Sequence, residues 1–309
     1  MKRFACCPLC GEAKLEYVFA VDEQGVERCR SCSLVLLNPQ PDADDARLYS
    51  EGYYRGQCDL KQRGEENVLD PARIQRRLES CAGIVETIER ALGRKGRWLD
   101  LGCGPGFLLK VAHDAGWEVA GADVSEFATR YAREVFGVRE LRTGPLEQVD
   151  FPDGAFDVVT LQHVIEHFRD PVRMVHRIQG WLRADGLLWL ETPDVDSGRA
   201  RRAKADWDHL KVPEHLFYFN ERTLKRLLRR ARLEVVSVHR PVAGTGLLEA
   251  ACGGHEEARR FYDRVRDNPI FQTAIRGVRY ANELYQARVR GASDVVQVLA
   301  RKTPSLAVR

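Results

Sequence analysis

Three groups of side chains in this chain have the types and spacing to do chemistry. The first is Asp100-Leu101-Gly102-Cys103-Gly104-Pro105-Gly106, which closes the apolar stretch Arg97 to Leu101. Alternate glycines let the backbone turn tightly and bring its amides and carbonyls against a ligand, where any Cβ would collide. No Gly-Lys-Ser/Thr follows, which excludes a P-loop, and Pro105-Gly106 stands where a dinucleotide fingerprint has a two-residue spacer. What remains is a cofactor without a pyrophosphate, and Asp100 is an acid suited to a ligand ammonium. Asp123 ends the next apolar stretch about twenty residues on, where an α/β nucleotide site places the carboxylate that accepts both ribose hydroxyls.

The second group is Cys7-Pro8-Leu9-Cys10 and Cys29-Arg30-Ser31-Cys32, two C-x-x-C pairs with eighteen residues between them. Each pair can turn both thiolates onto one ion, and four thiolates close a tetrahedral zinc site with no place for a catalytic water. Cys6 is an adjacent candidate but gives the wrong spacer, and a disulfide pairing is the competing reading. Cys58, Cys81, Cys103 and Cys252 are isolated and read as packing residues. The third group is His163, Glu166 and His167, which share a face at i, i+3 and i+4 if their segment turns helically. A histidine that titrates near neutrality can remove an acceptor's proton or anchor a substrate. The alternative is a structural role for the whole loop.

The elements that must position these groups alternate regularly. Strands are expected over 97–101, 118–123, 138–142, 156–161, 187–192, 233–239 and 294–302, with helices over 125–136, 171–183 and 221–231. Such alternation means a doubly wound α/β sheet, and ligands of open α/β sheets bind outside the carboxyl ends of the strands. The loop from Leu161 to Pro171 therefore faces the glycine-rich turn across the site. Asp70-Pro71 reads as an N-cap and first-turn proline, opening a helix with Ile74, Leu78, Cys81, Val85, Ile88 and Leu92 on one face. Its Arg73, Arg76 and Arg77 read as a solvated face. The cysteine-rich unit, with strands over 14–19 and 34–37, is too small to bury a core alone, so its metal would supply stability. In the acidic connector that follows, Tyr49, Tyr53 and Tyr54 either cap the cofactor or pack the ribbon against the main domain.

Two later segments stand out. Asp194 to Asn220 is too long for a simple connection and reads as a lid carrying Trp207, His209 and His215. Its Arg199, Arg201, Arg202 and Lys204 either neutralise an anionic substrate group or lie on a mobile solvated loop. Residues 242–291, helical in pattern from Glu256 to Ala287, read as an insertion over the substrate side. The chain has 309 residues, of which 44% are hydrophobic, enough for one large domain with appendages. No apolar run approaches the ~20 residues of a membrane span, and the start lacks a signal-peptide core, so a cytoplasmic location is expected. With 48 basic against 45 acidic residues, the net charge of +3 does not demand a nucleic acid partner.

The Asp-x-Gly-x-Gly-x-Gly of Asp100 to Gly106 resembles motif I of class I S-adenosylmethionine-dependent methyltransferases. Asp123 falls at the expected distance, Phe151-Pro152-Asp153-Gly154-Ala155-Phe156-Asp157-Val158-Val159 is similar to that family's PDGSFDVV segment, and His215 lies at its HLHYFS position. The resemblance implies a Rossmann-like seven-stranded sheet with an antiparallel last strand beside the fifth, over 96–241 and 292–303. An N-terminal zinc ribbon over 1–40, and a connector with covering helix over 41–95, would precede it. It further implies that Asp100, Gly102, Gly104, Gly106, Phe107, Asp123, Val124, Leu146, Glu147, Gln162 and Tyr54 surround S-adenosylmethionine, Leu146 against adenine and Glu147 or a backbone amide near its edge. Pro145 stands where many relatives carry an acid. His163-x-x-Glu166-His167 resembles the E-x-x-E-H of methyltransferases that hold a divalent ion beside a substrate hydroxyl, with His163 for the first acid. His163, His167 and His215 are thus candidates to serve the transfer as bases, as anchors or, with Glu166, as ligands of a second ion. The expected function is O- or C-methylation of a small molecule in secondary-metabolite or sugar biosynthesis, and the alternative is an RNA methyltransferase gripping RNA with its ribbon. Only Lys14, Arg28 and Arg30 are cations inside the ribbon, too few for a phosphate-binding stripe. The sequence implies no membrane partner and does not give the oligomeric state.

Overall fold

The computed structural model describes residues 1–42, 48–57, 67–241 and 293–303. The expected insertion over 242–291, together with Cys58 and Cys252, lies outside the described residues. In chain order the strands are β1 (Leu15–Val21), β2 (Gln24–Cys29), β3 (Val35–Leu37), β4 (Arg97–Leu101), β5 (Glu118–Asp123), β6 (Glu140–Thr143), β7 (Phe156–Gln162), β8 (Leu182–Pro193), β9 (Phe217–Tyr218), β10 (Leu233–His239) and β11 (Val295–Lys302).

Seven of them form one sheet in the order β10-β11-β8-β7-β4-β5-β6. β4 to β8 pair in parallel, and β11 runs antiparallel between β8 and β10. The doubly wound sheet with its reversed last strand beside the fifth is therefore present. The central strands β4 and β7 are almost wholly buried because helices cover both faces, the condition under which parallel strands read as continuous apolar runs. On one face the helix Pro71–Leu92 packs Cys81, Ile84, Val85 and Ile88 inward. Asp70 caps it by accepting from the amides of Ala72 and Arg73, Pro71 starts it, and Gly93 ends it in the left-handed conformation.

Boundaries differ where polar residues sit inside a paired strand. The helix expected over 171–183 ends at Trp181, and β8 begins at Leu182 rather than at 187, because Leu182 pairs with Phe156 across an irregularity in the β7 ladder. Arg183-Ala184-Asp185-Gly186 looks like a loop, and it is the irregularity itself, lying between the paired residues Leu182 and Leu187 within β8. At this base of the sheet Asp157 has a fully buried side chain that accepts the Arg97 amide (2.8 Å) and pairs with Arg183 (2.9 Å) and Arg94. Burial works against its charged form, but Arg94, the Arg97 amide and Arg183 overcome that and hold the carboxyl below its ordinary value. A Cβ at Gly96 would run into this carboxylate, which explains the glycine.

The remaining strands make a second sheet, β1-β2-β3-β9. Its first three strands belong to the cysteine-rich unit, and β2 lies beyond the two strands expected there. The fourth comes from the late loop: Val35 pairs with Tyr218 and Leu36 with Phe217. The cysteine unit is thus joined to the main body by a backbone ladder, and Cys7, Leu9, Leu34 and Leu36 continue into one buried core with Leu99 and Leu161 of the large sheet. Two arginines of helix Glu221–Arg230 reinforce the joint, Arg222 donating to Ser31 O (3.1 Å) and Arg230 to Leu9 O.

Asp157→Ala removes three partners at once and is expected to cost about 2–4 kcal/mol in urea unfolding. Because the folded carboxyl titrates below its unfolded value, its contribution is full above about pH 3.9. It fades as pH falls through the lower folded value, so wild type and variant should converge in stability in strong acid.

Candidate active site

Outside the carboxyl ends of β4, β5 and β7 lies a cavity of about 950 Å³. One end is built by the glycine-rich turn. Ala122 O accepts from the amides of Gly102 (2.7 Å) and Cys103 (3.1 Å), which fastens the turn to the end of β5. Gly102 has φ +70°, and a Cβ there would penetrate the side chain of Val164. Gly104 has φ +50°, and a Cβ there would meet only Tyr54 Cε1 at 3.9 Å, so this edge of the cavity is open for a ligand to approach the backbone. Asp123 accepts from the Gly104 amide (2.8 Å) with one oxygen and from the Ser125 amide (2.8 Å) with the other. Burial pushes its carboxyl up, against those two amides.

Asp100 is oriented through the sheet. Trp98 Nε1 donates to Thr160 Oγ1 (3.0 Å), and Thr160 Oγ1 donates to Asp100 Oδ1 (2.6 Å). Asp100 and Thr160 are register partners on β4 and β7, so neighbouring strands aim the carboxyl at the cavity. Burial raises it to about 7, with Thr160 acting in the opposite sense.

The other end is made of histidines and carboxylates. The segment expected to turn helically forms only a 3-10 turn, Ile165–His167, and His163 precedes it at φ +53°, an uncommon backbone for a non-glycine residue. Its amide donates to Glu191 O (2.9 Å), and its ring lies between Glu191 (Nε2 to Oε1, 3.2 Å) and Glu166 (Nδ1 to Oε1, 3.5 Å). Burial favours the neutral ring, but the two carboxylates prevail and hold His163 protonated up to about 9. His163 is thus a cation at neutral pH, contrary to its expected role as a base.

His167 faces a different partner. Its Nδ1 lies 2.9 Å from Glu214 O, and His215 Nδ1 lies 2.8 Å from His209 O, so each ring can donate that proton to a backbone carbonyl and keep Nε2 for another partner. The two rings meet edge to face at 4.7 Å between centroids. One ligand atom from each of Glu166, His167 and His215 falls within 4.8 Å of the others. Glu166 Oε2 accepts from Thr192 Oγ1 (2.9 Å), whereas Oε1 is buried without a hydrogen-bond partner. Burial and the neighbouring His167 push His215 well below the ordinary imidazole range.

The connector tyrosines join the two ends. Tyr54 stacks on Phe127 (5.7 Å between centroids), while Tyr53 and Tyr49 continue edge to face toward His167. All three line the cavity. Of the sequence candidates, Asp100, Gly102, Gly104, Phe107, Asp123, Val124, Leu146, Glu147, Gln162, Tyr54, His163, His167 and His215 line it as well. Gly106 does not: it starts helix Phe107–Asp114 at φ +86°, with Ala132 where its Cβ would go. Glu147 reaches the wall, but Oε1 accepts the amides of Arg169 (2.7 Å) and Asp170 (3.1 Å) and so is turned toward the next helix. Glu191, Glu214 and Lys211 were not anticipated. They are single polar residues in apolar or lid segments: the path of the lid brings Lys211 and Glu214 to the cavity wall, and the register of β8 brings Glu191 behind His163.

At the amino-terminal end the sulfurs of Cys7 and Cys32 are 3.5 Å apart, as are those of Cys10 and Cys29. All four lie within 4.8 Å of one another. Cys6 is exposed, and Cys81 and Cys103 are buried.

The methyltransferase-domain family matches residues 72–238. The ubiquinone biosynthesis O-methyltransferase of Ruegeria pomeroyi is 29% identical over 193 residues, covering 55% of this chain and 73% of the relative. That of Bordetella avium is 33% identical over 131 residues, 41% of this chain and 51% of the relative. A crystal structure of an S-adenosylmethionine-dependent methyltransferase from Mesorhizobium loti superposes with a TM-score of 0.48 at 18% identity, covering 72% of this chain and 99% of that one. The chain spans 65% of one mycobacterial relative's length and 35% of another's. A glycine-rich turn against two strand-end acids, on a seven-stranded sheet with β11 reversed, places the chain in the S-adenosylmethionine-dependent methyltransferase family.

Gly102→Ala combines a left-handed backbone with a clash against Val164. It is expected to cost about 2–4 kcal/mol of stability and to weaken S-adenosylhomocysteine binding, both measurable by thermal unfolding with and without that compound.

Proposed function

We propose that this chain transfers the methyl group of S-adenosylmethionine to a hydroxyl of a small-molecule acceptor seated against His167 and His215. The observation that carries this reading is that the cofactor turn and the rings of His163, His167 and His215 open on one cavity of about 950 Å³, within the size range of small-molecule sites, with Glu166 buried directly behind the histidines. In this reading Asp100 takes the cofactor ammonium, Asp123 the ribose hydroxyls and Leu146 the adenine, while Tyr54 covers the turn. The open edge at Gly104 fits such a ligand.

The sulfonium, when bound, supplies an already activated methyl group, so the chain's own work is alignment of the acceptor and disposal of its proton. Glu166, His167 and His215 fit a divalent ion. One carboxylate oxygen is buried without a hydrogen-bond partner, and both rings can be fixed through Nδ1 on backbone carbonyls, as ligating histidines are. Such an ion would supply a Lewis acid that lowers the pKa of the acceptor hydroxyl. His163, held as a cation between Glu166 and Glu191, orients Glu166 and does not take the proton. The four cysteines fit a structural zinc, since sulfurs bound at ~2.3 Å would be separated by roughly 3.8 Å, close to the observed spacing.

Asp123→Ala should weaken S-adenosylmethionine binding by about 1.5–3 kcal/mol in calorimetry; unchanged affinity would remove the ribose assignment. Elemental analysis should find one zinc that resists mild chelation and disappears in Cys29→Ser. It should also find one exchangeable divalent ion that Glu166→Gln abolishes. That variant should lose at least ~10²-fold in turnover while binding S-adenosylhomocysteine normally, and full metal content and turnover in it would exclude the second site.

A further inference from the structure

Glu191 is a buried carboxylate whose only task so far is to face His163. It stands on β8 directly opposite Gln297 of β11, and opposite residues of an antiparallel pair carry their side chains on the same face of the sheet. A carboxylate only accepts, so both of its oxygens need donors. Gln297 Nε2 donates to Oε2, and His163 Nε2 lies 3.2 Å from Oε1. The plane of the group is thereby fixed from two sides. Burial works against its charge, and His163 first, with Gln297 after it, holds the charged form.

The other nitrogen of the His163 ring, Nδ1, lies 3.5 Å from Glu166 Oε1. Beyond it Thr192 Oγ1, from the residue next to Glu191 in β8, donates to Glu166 Oε2 (2.9 Å). Gln297, Glu191, His163, Glu166 and Thr192 thus form one row in which donors and carboxylates alternate. The row runs from the reversed strand β11 to the 3-10 turn Ile165–His167. In a buried row of this kind each member is oriented by the next, and removing the end donor leaves a carboxylate oxygen without its partner. Glu191 would then turn to recover one, and the His163 ring would follow it away from Glu166. Neither Gln297 nor Glu191 lines the cavity, so any effect they have there passes through other side chains.

We infer that Gln297 is a positioning residue for the cluster of Glu166, His167 and His215: by fixing Glu191 it fixes His163, and through His163 it aims the carboxylate of Glu166. The reversed last strand then has a task in the site besides closing the sheet. This rests on the divalent-ion reading above. The test is titration of manganese(II) into the zinc-loaded full chain with S-adenosylhomocysteine bound, the free ion being followed by its electron paramagnetic resonance signal. Manganese ranks below zinc in affinity for the same ligands, so it leaves thiolate-bound zinc in place. Wild type should bind one manganese ion. Gln297→Leu should bind it about tenfold more weakly, with S-adenosylhomocysteine affinity within twofold of wild type. Gln297→Met, which keeps the length of the side chain but has no donor, should behave like Gln297→Leu. Glu191→Gln should weaken manganese binding at least as much, and Glu191→Gln/Gln297→Leu no more than Glu191→Gln alone, because residues that act in series are not additive. Wild-type manganese affinity in Gln297→Met overturns the inference by assigning the leucine effect to packing. Additive losses in the double variant overturn it by separating Gln297 from Glu191. A matching loss of S-adenosylhomocysteine affinity in Gln297→Leu overturns it by reducing Gln297 to a support of the sheet. If wild type and Gln297→Leu bind manganese equally, this inference fails alone; if wild type binds S-adenosylhomocysteine but no manganese, the divalent-ion reading fails first and takes this inference with it.

Discussion

One residue's backbone connects the two halves of the molecule. Leu216 accepts from the Leu37 amide (3.0 Å) on the cysteine-rich side and donates to Glu166 O (2.9 Å) on the cavity side. His215 precedes it, and Phe217 and Tyr218 follow as the strand that completes the small sheet. The position of the His215 ring is therefore set from two directions, by the β3 ladder and by the 3-10 turn that carries Glu166 and His167. Four sulfurs able to hold an ion lie behind β3, so order in the ribbon bears directly on the geometry of the imidazoles. Without that ladder, a lid of nearly thirty residues would have to pay the whole conformational entropy of placing one side chain.

The second constraint is electrostatic. Glu166 and Glu191 are buried carboxylates beside a histidine whose unusual backbone keeps its ring between them. Each carboxylate is disfavoured by burial and rescued by His163, which is itself held charged by them. A triad of this kind leaves His167 and His215 outside the ion pair, with Nδ1 of each beside a carbonyl. The three histidines, equivalent when read as letters, thus divide into one ring held between two carboxylates and two rings whose Nδ1 lies beside a backbone carbonyl.

Much of this was legible in the sequence, and the parts that were not share a physical reason. The glycine turn, Asp100, Asp123 and the strand order depend on local pattern and on βα alternation, and these are readable one segment at a time. The cysteine pairs are readable because two-residue spacers carry their own geometry. Neither β9 nor β2 shows such a pattern: Phe217 and Tyr218 are strand only because Leu36 and Val35 lie beside them. On helix Pro71–Leu92 the arginines read as a solvated face are exposed at Arg76 and Arg77 and also line the cavity, since charged residues opposite an apolar stripe look the same whether water or a ligand cavity lies above them. His163 looked like a base because its carboxylate neighbour Glu191 is 28 residues away and meets it only through the β7–β8 register.

The burial of Asp100 at the end of β4 has a consequence for proton balance. With the Asp100 carboxyl raised to about 7, this acid is near half protonation at neutral pH when no cation faces it. A ligand ammonium placed against it would expel the proton, so binding and deprotonation are linked. Apparent cofactor affinity would then climb with pH below 7 and level off above it, and the heat of binding would vary with the ionisation enthalpy of the buffer. Burial of one carboxyl, opposed by a hydroxyl on the neighbouring strand, would in this way set the pH at which the site is ready to be filled.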